Sequence, residues 1–257
     1  MLREASRGFS NSYEDAKRAE AYAKLEFPDT YYLAYRDLPE IILEHVRGRK
    51  AMDFGCGTGR STRFLQKLGF DVTGVDIAED MIRKAREKDP EGDYRLIEDA
   101  DLSQFEESAY DLVLSMFTFD NIPTMDRKVR NFREIGNLLK NEGRIVNLVS
   151  SPEIYMHEWA SFSTKDFPEN KHAKSGDKVR IIITAVDDKR PVEDVVWTDE
   201  YYRETFKRAG LEVVKTHKPL AKENEHYEWV NETRIAPWVI YVLKRKRTTF
   251  RRDLGKR

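Results

Sequence analysis

The stretch Asp53-Phe54-Gly55-Cys56-Gly57-Thr58-Gly59 decides the reading of this chain. It closes a short run with strand character, Lys50–Phe54. It opens directly into Gly59–Leu68, where Phe64, Leu65 and Leu68 share one helical face before Gly69 stops the pattern. Alternating glycines at a strand–helix junction permit a tight turn and let a ligand approach the backbone. The helix start adds unpaired N–H groups and the positive end of a dipole, which favour a carboxylate or a phosphate. A dinucleotide loop, Gly-x-Gly-x-x-Gly, would need its third glycine where Arg60 stands, and the Gly-Lys-Ser/Thr of a P-loop is absent. A tight turn without a ligand is the competing reading of the same residues.

Outward from this loop the chain alternates. Asp71–Val75, Tyr94–Glu98, Tyr110–Met116 and Arg144–Val149 read as strands, and Ala78–Lys88 and Thr124–Lys140 as helices. After a long aromatic and charged stretch, Val179–Val186 and Val192–Trp197 read as a hairpin turning at Asp187–Pro191, and Thr198 as the N-cap of a helix through Ala209. Leu211–His217 and Trp238–Leu243 complete the strands. This rhythm predicts an α/β fold: a doubly wound, mostly parallel, seven-stranded Rossmann-like sheet, with residues 151–197 inserted as a cap or lid. Upstream, Tyr31–Val46 is helical, with Pro39 at a helix start or break. The organisation expected is a helical segment over 1–46 that contributes to the ligand site, a Rossmann-like domain over 47–243, and a basic tail over 244–257. Ligands of such sheets sit beyond the carboxyl ends of the strands, which singles out the loops after Phe54, Val75, Glu98 and Met116.

Composition narrows the function. The 257 residues are 40% hydrophobic and 35% charged, enough for one domain with an insertion. No apolar run reaches the roughly 18 residues that cross a bilayer. The polar N-terminus shows no apolar signal region, and the single cysteine, Cys56, excludes an internal disulfide and a thiolate zinc cluster. These features predict a cytoplasmic protein, monomer or homodimer, with no membrane partner and no metal. Net charge is −1, but residues 244–257 carry eight basic residues and one acid, which leaves residues 1–243 near −8. So acidic a body is a poor general surface for nucleic acid. The tail reads as a solvated terminus, or as a contact for a phosphate or an acidic partner.

Asp53–Gly59 resembles the first motif of the class I S-adenosylmethionine-dependent methyltransferases. Further stretches resemble that family's motifs in order: Gly74-Val75-Asp76-Ile77-Ala78, Ile97-Glu98-Asp99-Ala100, Tyr110–Ser115, Leu138–Gly143, and Trp197–Tyr201 followed by Ala209-Gly210-Leu211. The likeness spans about residues 45–243 and implies S-adenosyl-L-methionine as cofactor, with S-adenosyl-L-homocysteine as product. It implies that Asp53 and the amides of Gly55, Gly57 and Gly59 hold the methionine portion, with Cys56 a small loop residue among them. Asp76 would take both ribose hydroxyls. Ile77 and Met81 would pack on adenine, Asp99 would accept its amino group beside the Ala100 amide, and Ser115, Met116 and Phe117 would pass near the sulfonium.

Base-modifying amino-methyltransferases of the family carry Asp/Asn-Pro-Pro-Tyr/Phe after the fourth strand. Ser115-Met116-Phe117-Thr118-Phe119 stands there instead, which favours a small-molecule acceptor methylated at nitrogen or oxygen. Candidates facing it are Phe117, Phe119, Asp120 and Asn121, then Tyr31, Tyr32 and Arg36, then Tyr155, His157 and Trp159. His157, Tyr32 and Asp120 are the catalytic candidates, His157 foremost because imidazole titrates near neutrality. Exposure in a polar insertion is the competing reading of His157. A cofactor-binding protein without catalysis, and an RNA methyltransferase using the basic tail, are the alternative functions.

Overall fold

Leu112, Val113 and Leu114 are apolar in succession because a central parallel strand is covered on both faces, and all three are fully buried in the computed structural model, which describes residues 29–246. Strands β1 (Lys50–Phe54), β2 (Asp71–Asp76), β3 (Asp93–Leu96), β4 (Tyr110–Met116) and β5 (Leu139–Ser150) alternate with helices. The helices among them are α3 (Arg60–Lys67), α4 (Glu79–Lys88) and α5 (Met125–Leu138), preceded by α1 (Tyr32–Arg36) and α2 (Leu38–His45). Pro39 sits in the first turn of α2, where no N–H is needed, and the Thr124 hydroxyl caps α5 by accepting the Arg127 amide.

The chain ends with helix α6 (Asp199–Arg208), β9 (Leu211–His217) and β10 (Trp238–Arg245). The seven-stranded sheet runs β3-β2-β1-β4-β5-β10-β9, with β10 antiparallel to both of its neighbours. Between β1 and β4 the strand order reverses, and there a crevice opens at the carboxyl ends. Ile41, Ile42 and Leu65 of α2 and α3 pack one face of the sheet, while Phe132, Ile135 and Phe206 of α5 and α6 pack the other.

Residues 151–197 form a three-stranded antiparallel sheet of β6 (Phe162–Ser163), β7 (Lys178–Ile183) and β8 (Val192–Val195). The hairpin falls where the turn residues place it. The two-residue β6 carries no local signal. Tyr155, Trp159, Phe162 and Ile181 of this insertion share a core with Tyr31 and Trp238, so the insertion is seated on the main sheet beside the N-terminal helices.

Two local expectations change. Asn141–Gly143 does not end the helix as a free turn: Leu139 already pairs with Tyr110, and the extra residues bulge before Leu112 meets Arg144. Thr198 holds the N-cap position of α6 as expected, but without a side-chain cap bond: its hydroxyl instead accepts from Ser175 Oγ at 3.0 Å. Residues 1–28 and tail residues 247–257 lie outside the described residues. Among the described residues no helix is long and apolar enough to cross a membrane.

Candidate functional site

The glycine loop is stitched to the end of β2. The amides of Gly55 and Cys56 both donate to the Val75 carbonyl, at 2.8 and 2.9 Å, and the Gly59 amide donates to the Cys56 carbonyl at 2.9 Å. The Gly57 amide donates to Asp76 Oδ2 at 2.9 Å. The three glycine amides are therefore spent on the protein, which corrects the expectation that they hold a ligand. Glycine is required here for conformation and space: φ is +76°, +53° and +78° at Gly55, Gly57 and Gly59. A Cβ on Gly55 would fall 2.1 Å from Thr118 Oγ1 and one on Gly59 2.5 Å from the Tyr94 hydroxyl, whereas above Gly57 there is open space.

That open space belongs to a cleft of about 310 Å³ at the carboxyl ends of β1, β2 and β4. Gly55, Cys56, Gly57, Asp76, Met116 and Phe117 line it, and Arg60 and Ser61 bring the start of α3 to its wall. Ile77, Met81, Ile97 and Ile122 make one apolar side. Ile77 is 53% exposed, an unusual setting for isoleucine that a planar ligand would cover. Asp76 is held by backbone: Oδ1 accepts the Ala78 amide at 2.9 Å while Oδ2 holds Gly57. Burial raises its pKa against those two bonds.

Asp53 is corrected as a direct ligand contact. It lies wholly buried under the loop and does not line the cleft. Its Oδ2 accepts the Ser61 and Thr62 hydroxyls, each at 2.7 Å, and so pins the first turn of α3. Burial pushes its carboxyl up to about 6, against those hydroxyl donors. Gly59 likewise sits behind the loop as the residue preceding α3. Ser115 is fully buried in β4, with Asn147 opposite it in β5, and lines neither this cleft nor the cavity described next. Ala100 also lines neither, although its φ of +56° marks a tight turn.

Asp99 does line the cleft, in company that the sequence reading missed. Its Oδ2 accepts from Arg127 and Arg130, each at 2.8 Å, and its Oδ1 from Asn131 at 3.2 Å. Burial alone would raise this carboxyl, but the Asn131 and Arg127 donors outweigh it and hold it below the usual range. The i, i+3, i+4 spacing of Arg127, Arg130 and Asn131 on α5 is the signal that could have shown this cluster.

A second, smaller cavity of about 40 Å³ adjoins the cleft, because Phe117 and Asn121 line both. Phe117 holds a left-handed φ of +62°, a strained setting for an aromatic residue. Tyr31, Trp238 and Phe162 wall the cavity, and Asp120, Tyr155 and Asp194 bring polar atoms to it. Asp120 accepts the Ser150 amide and hydroxyl, at 3.0 and 2.9 Å, and the Tyr202 hydroxyl at 3.3 Å. Burial raises Asp120 and lowers its buried neighbour Lys128, whose ammonium donates to the Phe119 carbonyl. The Tyr155 hydroxyl donates to Asp194 Oδ2 at 3.2 Å.

The other catalytic candidates fall elsewhere. His157 pairs with Glu153 at 3.1 Å, its side chain 37% exposed, and lines neither cavity. Tyr32 packs on Tyr227, 4.9 Å between ring centroids, also outside both. Arg36 is held by Asp37 and Glu225, and the Trp159 indole donates to the Ile154 carbonyl. Among their neighbours, Tyr31 and Tyr155 line the second cavity and Tyr35 lines the cleft.

The cleft fits an adenosylmethionine. Bare backbone at Gly57 gives it close approach, Asp76 offers a carboxylate beside an apolar wall, and Asp53 Oδ1 lacks a hydrogen-bond partner under the methionine end. Among the described residues no group of three or more His, Cys, Asp or Glu side chains is placed to hold a metal ion.

A sheet in this order, with a glycine loop after its first strand and an acid ending its second, is the class I methyltransferase fold. Residues 52–147 match the family model described as a methyltransferase domain. Over 84 residues the chain is 33% identical to a ubiquinone biosynthesis O-methyltransferase of Hydrogenovibrio crunogenus, covering 31% of this chain and 35% of that one. Across curated relatives of this kind it spans 35 to 62% of their length. A protein of Pyrococcus horikoshii shares the fold at TM-score 0.63 and 20% identity, over 93% of this chain and all of that one. An S-adenosylmethionine-dependent methyltransferase of Clostridium acetobutylicum does so at TM-score 0.61 and 16% identity, over 92% and 100%.

Proposed function

We propose that this protein transfers a methyl group from S-adenosyl-L-methionine to a small-molecule acceptor, releasing S-adenosyl-L-homocysteine. The observation that carries this reading is the adjacency of the two spaces: the cleft with Asp76 on its wall and a second cavity share Phe117 and Asn121 as lining. The cofactor, when bound, supplies an electrophilic methyl on a sulfonium. The protein's share is to bind, orient and exclude water. Asp76 accepts the ribose hydroxyls with the lone pairs that Gly57 and Ala78 leave. Ile77 and Met81 cover adenine, and Asp99 faces its edge while fixed by α5. The start of α3, with Arg60 and Ser61, receives the methionine carboxylate. Asp53 acts beneath them as a positioning residue. Met116 and Phe117 separate the reacting centre from the second cavity. Tyr31 and the inserted sheet close it on the far side, so that residues 31–46 and 151–197 form the acceptor side of the domain over 47–243.

The curated relatives named above are O-methyltransferases; their overlap with this chain supports the reaction class and a small acceptor. The reading includes a cytoplasmic setting and no nucleic-acid partner. It is tested by incubating the protein with methyl-labelled S-adenosylmethionine and a panel of small metabolites. Label transfer with release of S-adenosylhomocysteine supports it. Cofactor binding without transfer to any small acceptor, or transfer to RNA alone, contradicts it.

A further inference from the structure

Asp120 brings a carboxylate to the second cavity. The turn that follows β4 carries this residue to the cavity wall, its amide donating to the Phe117 carbonyl at 3.2 Å. Oδ2 accepts the Ser150 hydroxyl at 2.9 Å and the Ser150 amide at 3.0 Å, and Oδ1 accepts the Tyr202 hydroxyl at 3.3 Å. A carboxylate offers roughly four lone-pair positions, so these donors leave room for one more. Its charged neighbour is Lys128 of α5, fully buried, with the ammonium 4.8 Å from the Trp197 ring centroid and 5.4 Å from that of Tyr202. Burial drives both groups toward their neutral forms, and each holds the other's charge against that drive. Lys128 does not line the cavity, so Asp120 is the member of the pair that an occupant meets. Phe117, Phe162 and Trp238 wall the same space with rings.

We propose that Asp120 accepts a hydrogen bond from a hydroxyl of the acceptor in this cavity and takes its proton as the methyl is transferred. The inference rests on the methyltransferase reading for its claim that the occupant is the acceptor. The O–H bond breaks with its proton passing to a carboxylate oxygen of Asp120. The acceptor oxygen's electron pair forms the bond to the methyl carbon, and the pair of the methyl–sulfur bond stays on sulfur. Asp120 returns the proton to water once the product has left. A neutral amine attacks with a lone pair it already has, whereas a hydroxyl needs a fixed base, and burial makes this carboxylate a stronger one than an exposed acid. The titratable groups around Asp120 are Lys128 of α5, Tyr202 of α6 and, lining the same cavity, Tyr31, Tyr155 and Asp194. Burial holds the Tyr155 and Tyr202 hydroxyls well above their usual range, so both stay protonated near neutrality.

The test compares phenol with toluene, one ring with and without the hydroxyl, by calorimetry on the full chain saturated with S-adenosylhomocysteine. At pH 8 phenol is expected to bind roughly tenfold or more tightly than toluene, the worth of a hydrogen bond to a charged group. That preference should fall about threefold or more by pH 5, because the raised carboxyl of Asp120 takes up a proton there, whereas an exposed aspartate of pKa about 3.9 would stay ionised. Asp120→Asn should reduce the preference to about threefold or less and remove its pH dependence. Tyr202→Phe takes a donor from the carboxylate without touching the cavity lining, so the preference should persist at pH 8 and begin to fall at higher pH than in the parent. Should Asp120→Asn fail to fold, the parent and Tyr202→Phe series decide. Equal binding of the two probes, no binding of either, a preference constant from pH 8 to 5, a fall that Tyr202→Phe leaves in place, or a preference that survives Asp120→Asn overturns the inference. Affinity for S-adenosylhomocysteine is titrated first. Its absence sinks the methyltransferase reading, whereas its presence without a phenol preference sinks only this one.

Discussion

The Gly57 amide donates to Asp76 Oδ2 at 2.9 Å, so the turn after β1 and the end of β2 are one unit facing one cleft. The two residues depend on each other: the acid fixes the loop, and the bare α-carbon leaves room above it.

Alanine at Gly57 and at Gly55 should therefore behave differently. At Gly57 the added methyl meets no protein atom, so the stability cost is the left-handed φ alone, about 1 kcal/mol, while the methyl enters the cleft. S-adenosylhomocysteine affinity should fall at least tenfold with a Tm loss of a few degrees. At Gly55 the methyl strikes Thr118, whose hydroxyl donates to the Phe54 carbonyl, and destabilisation of roughly 3 kcal/mol or more is expected. Urea unfolding and calorimetry on both variants check the contrast.

Glu232 joins three parts of the chain. Its Oε1 accepts the Thr30 hydroxyl at 2.6 Å and the Ala160 amide at 2.8 Å, and its Oε2 accepts the amides of Val230 and Asn231. It is fully buried. Glu232→Ala should cost about 3–5 kcal/mol, because several buried donors lose a charged acceptor together. Where the variant folds, affinity for S-adenosylhomocysteine should hold while acceptor turnover drops, since the bonds lie on the Tyr31 and insertion side. Cofactor affinity falling as far as turnover would show that Glu232 does not act on the acceptor side alone.

Asp53 sets a pH dependence of stability. Its folded carboxyl titrates near 6, above its unfolded value, so the folded state holds a proton that the unfolded state has released. Its contribution is fully favourable at the acid end and is lost as pH rises through about 6. In Asp53→Asn that loss is absent. The stability of the variant relative to the parent should rise between pH 4 and 7 by up to about 3 kcal/mol, then level off. Guanidinium unfolding across that range, with a flat difference, would contradict the assignment.

His157→Ala should leave kcat and KM within about twofold, since the imidazole pairs with Glu153 and stands edge-on to Trp159 in the insertion, outside both cavities. A loss of a hundredfold in kcat would return His157 to the reacting centre.

The sequence reading succeeded where the signal is local. β1 and β4 fall on the residues expected, and Asp76, Ile77, Met81 and Phe117 reach the cleft because a strand end, the residue after it or the first turn of the next helix places them there. It failed where position depends on partners far along the chain. Chemistry singles out Tyr32 and His157 in the sequence, yet Tyr31 and Tyr155, named beside them as facing the acceptor, are the ones that line the cavity. Glu232 meets Thr30 across 202 positions, and no pattern near either residue announces it. The glycine amides were legible as a loop but not as already bonded, because their acceptors are in β2 and in the loop itself.

The central claim is that the cleft beside Asp76 is an adenosylmethionine site, and titration calorimetry with S-adenosylhomocysteine tests it most directly. The wild-type chain should bind one equivalent, and Asp76→Ala, checked for retained fold by circular dichroism, should lose at least thirtyfold in affinity, about 2 kcal/mol for two ribose contacts to a charged group. No binding by the wild-type chain, or equal binding by a folded Asp76→Ala variant, would contradict the account.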